Sequence, residues 1–219
     1  KNNRYVFKDT SAIRVTGDCF FGVLAHDKVT NLRFKNGLHT LQIYTDSNLF
    51  FAMQLDSFSF NESPAVNSFT DYHYFLNTKK RIIRTYVQPN NPLSIYKNVV
   101  NKGILKDNGL LKKEIRVMVS DFISNTSYIT FTLFQQASKS NSDSSQVISG
   151  KMFYYNKENF FVAPNFLLYM PENVLYDTLL FNYQTLPPLA NHYSNIHVVH
   201  NDKIPTHKKY CISIKPDSI

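Results

Sequence analysis

Four histidines near the end of the chain have the side-chain type that binds metal ions: His192, His197, His200 and His207. A zinc site needs His, Cys or carboxylate ligands at a spacing that lets several of them reach one ion. His197 and His200 lie three positions apart, and residues at that spacing on a strand face opposite sides. Neither H-E-x-x-H nor H-x-H occurs in the chain. We therefore predict no metal or other cofactor, and these histidines are the only metal candidates.

Motifs for covalent or phosphate chemistry are missing from the sequence. It contains no G-x-S-x-G elbow, and neither cysteine has a convincing histidine partner. The phosphate-binding patterns G-x-x-x-x-G-K-[ST] and G-x-G-x-x-G are also absent. Asp56, Glu62 and Asp71 flank an irregular segment, where we expect them to cap turns. These observations predict that the chain is not an enzyme.

Tyrosines are the remaining candidates for ligand binding. The chain has 14 tyrosines and no tryptophan, so a sugar-binding site would have to use tyrosine rings in place of indoles. Tyr154, Tyr155 and Tyr183 lie in aromatic runs and are the candidate binding residues. They leave open the alternative of a stand-alone adhesion or carbohydrate-binding protein.

The formal net charge of +8 favours an anionic partner. The charges are scattered, however, and the densest runs contain only two or three residues, as at Lys79-Lys80-Arg81. Solvated loops explain such runs. Nucleic acid is therefore not an expected partner, and the oligomeric state stays open.

The two cysteines, Cys19 and Cys211, lie in apolar runs at opposite ends of the chain. We expect both to be buried free thiols, although their pairing in a disulfide stays open. No apolar run is long enough for a transmembrane helix. The chain begins at Lys1 and shows no signal-peptide pattern, so we expect it to be part of a longer protein.

Alternating apolar and polar residues predict an all-β fold. Residues 39–44 and 49–55 read as one hairpin around a turn at 45–48, and residues 114–119 and 129–133 read as a second around 121–125. Further strands are expected at 13–16, 19–26 and 82–88. Residues 64–77 lack this alternation and predict an irregular arm or a short helix. Together, the predicted strands and their spacing indicate an immunoglobulin-like β-sandwich over residues 1–136.

A polar, serine-rich tract at residues 137–150 predicts a linker or a long loop. Residues 151–219 return to strand-like aromatic runs, at 152–155, 160–170, 179–183, 196–199 and 209–214. They predict a second, smaller β-rich domain. Because about 70 residues form only a small core, this second domain is either incomplete or packed on the first.

Four segments in order resemble the accessory region of Gram-negative lysostaphin-type zinc metallopeptidases, which are peptidoglycan endopeptidases. Residues 55–62 (LDSFSFNE) resemble the family's x-D-x-F-S-F-D-E, and residues 84–96 (RTYVQPNNPLSIY) resemble R-x-x-x-x-P-x-N-x-L-S-I-Y. Residues 119–127 resemble V-x-D-x-x-G-N-T-S, and residues 170–177 resemble P-x-G-A-L-Y-D. The closing pattern is similar at Tyr193-Ser194, His197, His200, Pro205, His207 and residues 212–216.

The resemblance implies a non-catalytic cell-envelope module that positions or regulates an enzyme, or binds peptidoglycan or an envelope protein. It also implies an extracytoplasmic location, in the periplasm or at the outer membrane. The family's catalytic H-x-x-x-D and H-x-H do not occur here, so no catalytic residue carries over.

The chain departs from the family pattern at several positions. Ser124 and Asn173 stand where the family has glycine, Asn61 replaces an acidic residue, and Ser63-Pro64 replaces a Thr-Arg pair. Since glycine serves where φ is positive, the two lost glycines predict altered turns.

Overall fold

The computed structural model describes residues 3–6, 13–28, 35–107, 109, 111–136 and 150–216. Its regular structure is mainly β-strand, so the fold is all-β. The chain forms two compact units: unit 1 comprises residues 1–87 and 93–141, and unit 2 comprises residues 88–92 and 142–219.

Unit 1 contains eleven described strands and a short helical segment. The strands are β1 (Asn3–Tyr5), β2 (Ile13–Thr16), β3 (Gly22–Val23), β4 (Asp27–Lys28), β5 (Lys35–Asn36), β6 (Thr40–Thr45), β7 (Asn48–Gln54), β8 (Ile83–Arg84), β9 (Tyr96–Val99), β10 (Leu111–Ser120) and β11 (Thr126–Gln136). The helices are α1 (Val66–Phe69) and α2 (Tyr72–Thr78), with 3-10 helices at Phe60–Ala65 and Val100–Gly103.

A seven-stranded sheet with the order β1-β11-β10-β6-β7-β9 forms the main layer of unit 1, and β2 also pairs with β11. The pairs between β6, β7, β9, β10 and β11 are antiparallel. β1 and β2 run parallel to β11. Two small antiparallel pairs, β3 with β8 and β4 with β5, lie outside this sheet.

Both predicted hairpins of unit 1 are confirmed. β6 and β7 turn at Asp46 and Ser47, which have positive φ values of 48° and 69°. Primed turns of this kind match the twist of paired strands. The alternation places Leu41, Ile43 and the side chains opposite them, Met53 and Phe51, in the core, where each is at most 1% exposed.

Residues 64–77, which lacked strand alternation, are largely helical. Of the two forms predicted for them, an irregular arm or a short helix, the structure shows the helix. Asp71 caps α2 by accepting a hydrogen bond from the Tyr74 amide at 2.9 Å. Lys79 ends the helix in a left-handed conformation with φ of 58°. Two other predicted strands, at residues 19–26 and 82–88, are much shorter in the structure, where they contribute only the two-residue strands β3 and β8.

The described residues of unit 2 form seven strands in small sheets. They are β12 (Lys151–Phe153), β13 (Asn159–Ala163), β14 (Phe166–Met170), β15 (Leu179–Phe181), β16 (Tyr183–Leu186), β17 (Ile196–Val199) and β18 (Cys211–Ile214). The pairings are β12 with β15, β16 with β17, and a three-stranded sheet in the order β13-β14-β18. The core is aromatic, and the Phe153 and Phe181 rings stack with centroids 4.4 Å apart.

Residues 88–92 belong to unit 2, although the predicted division placed them in the first domain. The Asn90 amide donates to the Tyr176 carbonyl at 3.0 Å. The Asn90 side chain donates to the Leu175 carbonyl at 2.8 Å and the Asn173 carbonyl at 3.3 Å. The unit therefore joins two distant chain segments. The predicted linker at 137–150 lies outside the described residues except for Gly150.

In two turns, Ser124 and Asn173 stand where the resembling family has glycine, and both residues have positive φ. Ser124 has φ of 66° and Asn173 has φ of 64°. Both residues therefore adopt the left-handed conformation that glycine favours. Whether the turns differ from those of the family stays a prediction.

The prediction of two buried thiols is wrong for Cys211, which is exposed, and Cys19 is only partly buried. The Cys211 side chain is exposed because it projects, with that of its paired residue Tyr169, from the face of the sheet opposite the buried Leu168. Both thiols are free. None of the described helices has the length and apolar character needed to span a membrane.

Candidate functional site

The four candidate histidines each have a local partner in unit 2. The Nδ1 atom of His197 lies 2.6 Å from the Tyr183 hydroxyl, and that of His207 lies 3.2 Å from the Tyr176 hydroxyl. His200 Nδ1 accepts from the Asn182 amide at 3.3 Å, and His192 Nδ1 lies 3.0 Å from the Ala190 carbonyl. Among the described residues, no three His, Cys, Asp or Glu side chains come together as a metal site.

Two of these histidines have a lowered pKa. Burial lowers the pKa of His200, and burial followed by the nearby Lys208 charge lowers that of His207. Burial also raises the pKa of Tyr176, the partner of His207, to about 12. Both effects favour the neutral forms, as expected for groups that contribute to packing.

The three candidate tyrosines occupy different environments. Tyr154 is 43% exposed, and the Lys157 ammonium lies 5.2 Å from its ring centroid. Tyr155 packs against the core of unit 2. Tyr183 lies 4.8 Å from the Phe161 ring and 4.9 Å from the Phe166 ring. Of the three, Tyr154 therefore has the side chain most open to a ligand.

The carboxylates that flank the helical segment bind neighbouring polar groups. Asp56 accepts from Gln54 Nε2 at 3.1 Å and lies 2.7 Å from His39 Nε2. These hydrogen bonds, with His39 first, lower the pKa of Asp56. Glu62 accepts from the Ser94 hydroxyl at 3.0 Å. With Asp71 confirmed as a cap, these contacts give the carboxylates structural roles.

A polar and aromatic surface of unit 1 gathers side chains from three adjacent strands. Arg116 on β10 pairs with Tyr44 on β6 and Thr130 on β11, and Met118 pairs with Gln42 and Tyr128. Directly paired residues project on the same side of a sheet. We call this surface the tyrosine–arginine face; its members are Gln42, Tyr44, Glu114, Arg116, Met118, Tyr128 and Thr130.

The contacts within the tyrosine–arginine face leave its charged groups available to a ligand. The Arg116 guanidinium lies 6.0 Å from the Tyr128 ring centroid, and the Tyr44 hydroxyl donates to Gln42 Oε1 at 3.5 Å. Tyr44, Arg116 and Glu114 border a cleft of about 210 Å³. In the part of the chain that the structure describes, neither Arg116 nor Glu114 forms an ion pair. The surface offers aromatic rings, an amide and both signs of charge.

A second concave surface of unit 1 is apolar. It has a volume of about 380 Å³ and lies between the core-facing side of β11 and residues 13–24. Phe131, Ile129 and Val15 contribute to its lining, as does Cys19. Burial raises the pKa of the Cys19 thiol, which keeps it neutral. The lining of this groove is therefore mainly apolar.

Residues 150–219 match the Zu5-like domain family. The Zu5-like region covers strands β12 to β18 and less than half of the chain. No curated protein and no solved structure matches the chain. The match describes what this part of unit 2 is similar to and brings no residue role with it.

The members of the tyrosine–arginine face were absent from the candidates chosen by sequence. The predicted hairpins already placed Tyr44 with Thr40 and Gln42 on the polar side of β6, and Arg116 with Met118 and Glu114 on the polar side of β10. The missing information was the pairing between β6 and β10, which brings Tyr44 opposite Arg116.

Proposed function

We propose that this chain is a non-catalytic accessory module of the cell envelope that binds peptidoglycan through the tyrosine–arginine face of unit 1. The observation that carries the proposal is the face itself: two tyrosine rings, a guanidinium and an amide on three paired strands. Such a set can contact a ligand through rings and hydrogen bonds at once.

The chemistry of peptidoglycan fits these side chains. Sugar rings have apolar C–H surfaces that contact aromatic rings, and the stem peptides carry carboxylates and amines. Arg116 can donate two parallel hydrogen bonds to a carboxylate, and the Glu114 carboxylate can accept hydrogen bonds from an amine. The formal net charge of +8 adds attraction toward an acidic polymer.

The resemblance of four ordered segments to peptidoglycan endopeptidase accessory regions supports the same role. It also supports an extracytoplasmic location, an immunoglobulin-like sandwich for unit 1, and a parent protein or partner that carries the peptidase chemistry. In this proposal the module holds that enzyme at the wall or regulates its access to substrate.

Co-sedimentation with purified peptidoglycan tests the proposal. We expect the wild-type chain to pellet with the wall, and Tyr44→Ala together with Arg116→Ala to weaken binding at least tenfold, which corresponds to about 1.4 kcal/mol. Tyr154→Ala removes an exposed tyrosine from unit 2 and is the matched control, which should bind like the wild type. A double variant that binds as well as the wild type would contradict the proposal.

The exposed Tyr154 favours a second candidate, a stand-alone adhesion or carbohydrate-binding protein. Its 43% exposed ring beside Lys157 provides a stacking surface with an adjacent cation. A glycan array distinguishes the two functions: this second candidate predicts glycan binding that Tyr154→Ala abolishes and that the double variant of unit 1 retains.

A further inference from the structure

Strand β18 is the edge strand of the three-stranded sheet of unit 2. It pairs with β14 on one side, with Leu168 opposite Ile212 and Phe166 opposite Ile214. Within the described residues, no strand pairs with its other side. At the opposite edge of the sheet, by contrast, the Lys151 ammonium donates to the Phe160 carbonyl of β13 at 2.5 Å.

The register shows which backbone groups of β18 face outward. The Lys215 amide donates to the Asn165 carbonyl at 2.9 Å, so this pair belongs to the hydrogen-bonded set. Hydrogen-bonded and non-hydrogen-bonded pairs alternate along an antiparallel ladder. Ile212 and Ile214 are therefore non-hydrogen-bonded with respect to β14, and their N–H and C=O groups point away from the sheet.

The side chains of the same two residues are only partly covered. They lie on the core side of the sheet, opposite Leu168 at 0% and Phe166 at 3% exposure. Ile212 is nevertheless 44% exposed and Ile214 is 48% exposed. The core layer thus stops at β18. An added strand would pair with the outward backbone groups and cover both isoleucines.

The charges beside this edge indicate the chemistry of the added strand. Lys208 and Lys209 precede β18 and Lys215 follows it, and all three are exposed. Pairing two copies of β18, in either direction, would bring lysines of one copy close to lysines of the other. Like charges placed opposite each other in a sheet are destabilising. An incoming strand with acidic residues at both ends complements the edge instead.

We propose that the open edge of β18 binds an extended segment of a protein partner by strand addition, and that this segment has alternating apolar residues flanked by acidic residues. Strand addition takes its affinity from backbone hydrogen bonds and its specificity from the side chains on alternate positions. The site lies in unit 2 and is independent of wall binding by unit 1.

Fluorescence anisotropy with the labelled peptide EDVTVTVDE tests this site on the full chain. We expect saturable binding that weakens at least tenfold in Ile214→Pro, because proline removes an outward N–H and leaves the pairing with β14 intact. Val162→Thr, on the exposed side of β13, is the control and should bind like the wild type. A variant with Lys208, Lys209 and Lys215 all changed to Glu should lose this peptide and bind KKVTVTVKK instead.

The charge-reversed variant keeps the β18 sequence unchanged, so the test stands even if Ile214→Pro fails to fold. Absence of binding by the wild type, or equal binding by all variants, would overturn the proposal. Sedimentation equilibrium tests whether a second copy of the chain occupies the edge instead. If the wild type is a dimer and Ile214→Pro is a monomer, the occupant is a second copy, and the assignment to an acidic partner is overturned.

Discussion

Left-handed backbone in this chain falls largely on residues other than glycine. The sequence has only 6 glycines. In the described part, non-glycine residues with positive φ are Asp46, Ser47, Lys79, Asn101, Lys102, Ser124, Asn165, Asn173, Asn191 and His200. Asn and Asp tolerate this conformation better than most residues, which explains how so few glycines can serve so many turns.

Gly103 is a position where glycine is required. Its φ is 76°, and an added Cβ would lie 1.8 Å from the Thr85 carbonyl oxygen. We expect Gly103→Ala to lower the free energy of unfolding by about 3 kcal/mol or more, since backbone strain and overpacking add. Gly37→Ala is the control, because nothing lies within 4 Å of its added Cβ. Urea unfolding, monitored by tyrosine fluorescence, measures the stability of both variants. Coincident unfolding curves for Gly103→Ala and Gly37→Ala would contradict the requirement for glycine at position 103.

Replacing Ser124 by glycine, the residue found at this position in the family that the sequence resembles, should stabilise the fold. Its φ of 66° is costly for serine and free for glycine. We expect Ser124→Gly to raise the free energy of unfolding by about 0.5–1 kcal/mol. Ser124→Ala keeps a Cβ at the same backbone and should give no gain. If thermal unfolding shows the glycine variant to be less stable than the wild type, the turn geometry described for residues 121–125 is wrong.

His200 and His207 make unit 2 sensitive to mild acid. Both pKa values are lowered from 6.5, so the unfolded chain takes up protons first as the pH falls below that value. Stability is then lost between about pH 6.5 and the lower folded pKa values. Asp18, Asp56 and Asp121 have pKa values lowered from 3.8 and titrate below this window.

Replacing both histidines by asparagine should flatten the pH dependence. Asparagine places a polar atom near the Nδ1 position and tolerates the positive φ of His200. We expect the melting temperature of the wild type to fall from pH 7.5 to pH 5.5 more than that of the double variant. If the melting temperatures of the two proteins fall equally between pH 7.5 and pH 5.5, His200 and His207 do not cause the loss of stability in acid.

At the scale of the elements, long hairpins follow from the sequence and short strands do not. Residues 39–44 and 114–119 alternate between apolar and polar side chains, and turn-forming residues follow each run, so the local pattern is enough to predict both hairpins. Residues 160–170 read as one apolar run but form the hairpin of β13 and β14, with Asn165 at φ of 58° in its turn. The tyrosine–arginine face depends on pairing between hairpins, which local alternation leaves undetermined.

The contribution of residues 88–92 to unit 2 is a long-range feature that local pattern could not reveal. Asn90 satisfies two carbonyls of the 170–177 segment. Asn90→Ala leaves those partly buried groups without their donor, which should cost about 1–3 kcal/mol.

Asn98→Ala is the matched control for this prediction. Its side chain makes one exposed hydrogen bond, to the Leu49 carbonyl at 3.0 Å, so its loss should cost clearly less. Urea denaturation compares the two variants. Equal destabilisation would show that the Asn90 contacts do not hold residues 88–92 to the rest of unit 2.

At the scale of the whole molecule, each unit contributes a different kind of surface. Unit 1 has the polar tyrosine–arginine face on its main sheet, and unit 2 has an open strand edge flanked by lysines. The proposed functions follow that division: a polar polymer on the first and an extended protein segment on the second.

The most direct test of wall binding is a map of the residues that respond to the ligand. Amide ¹H–¹⁵N spectra of the full chain, titrated with solubilised peptidoglycan fragments, report every backbone position separately. The proposal predicts shifts concentrated at residues 40–44, 114–118 and 128–132, with the β18 edge unchanged. Shifts confined to unit 2, or no shifts at saturating fragment, would contradict it.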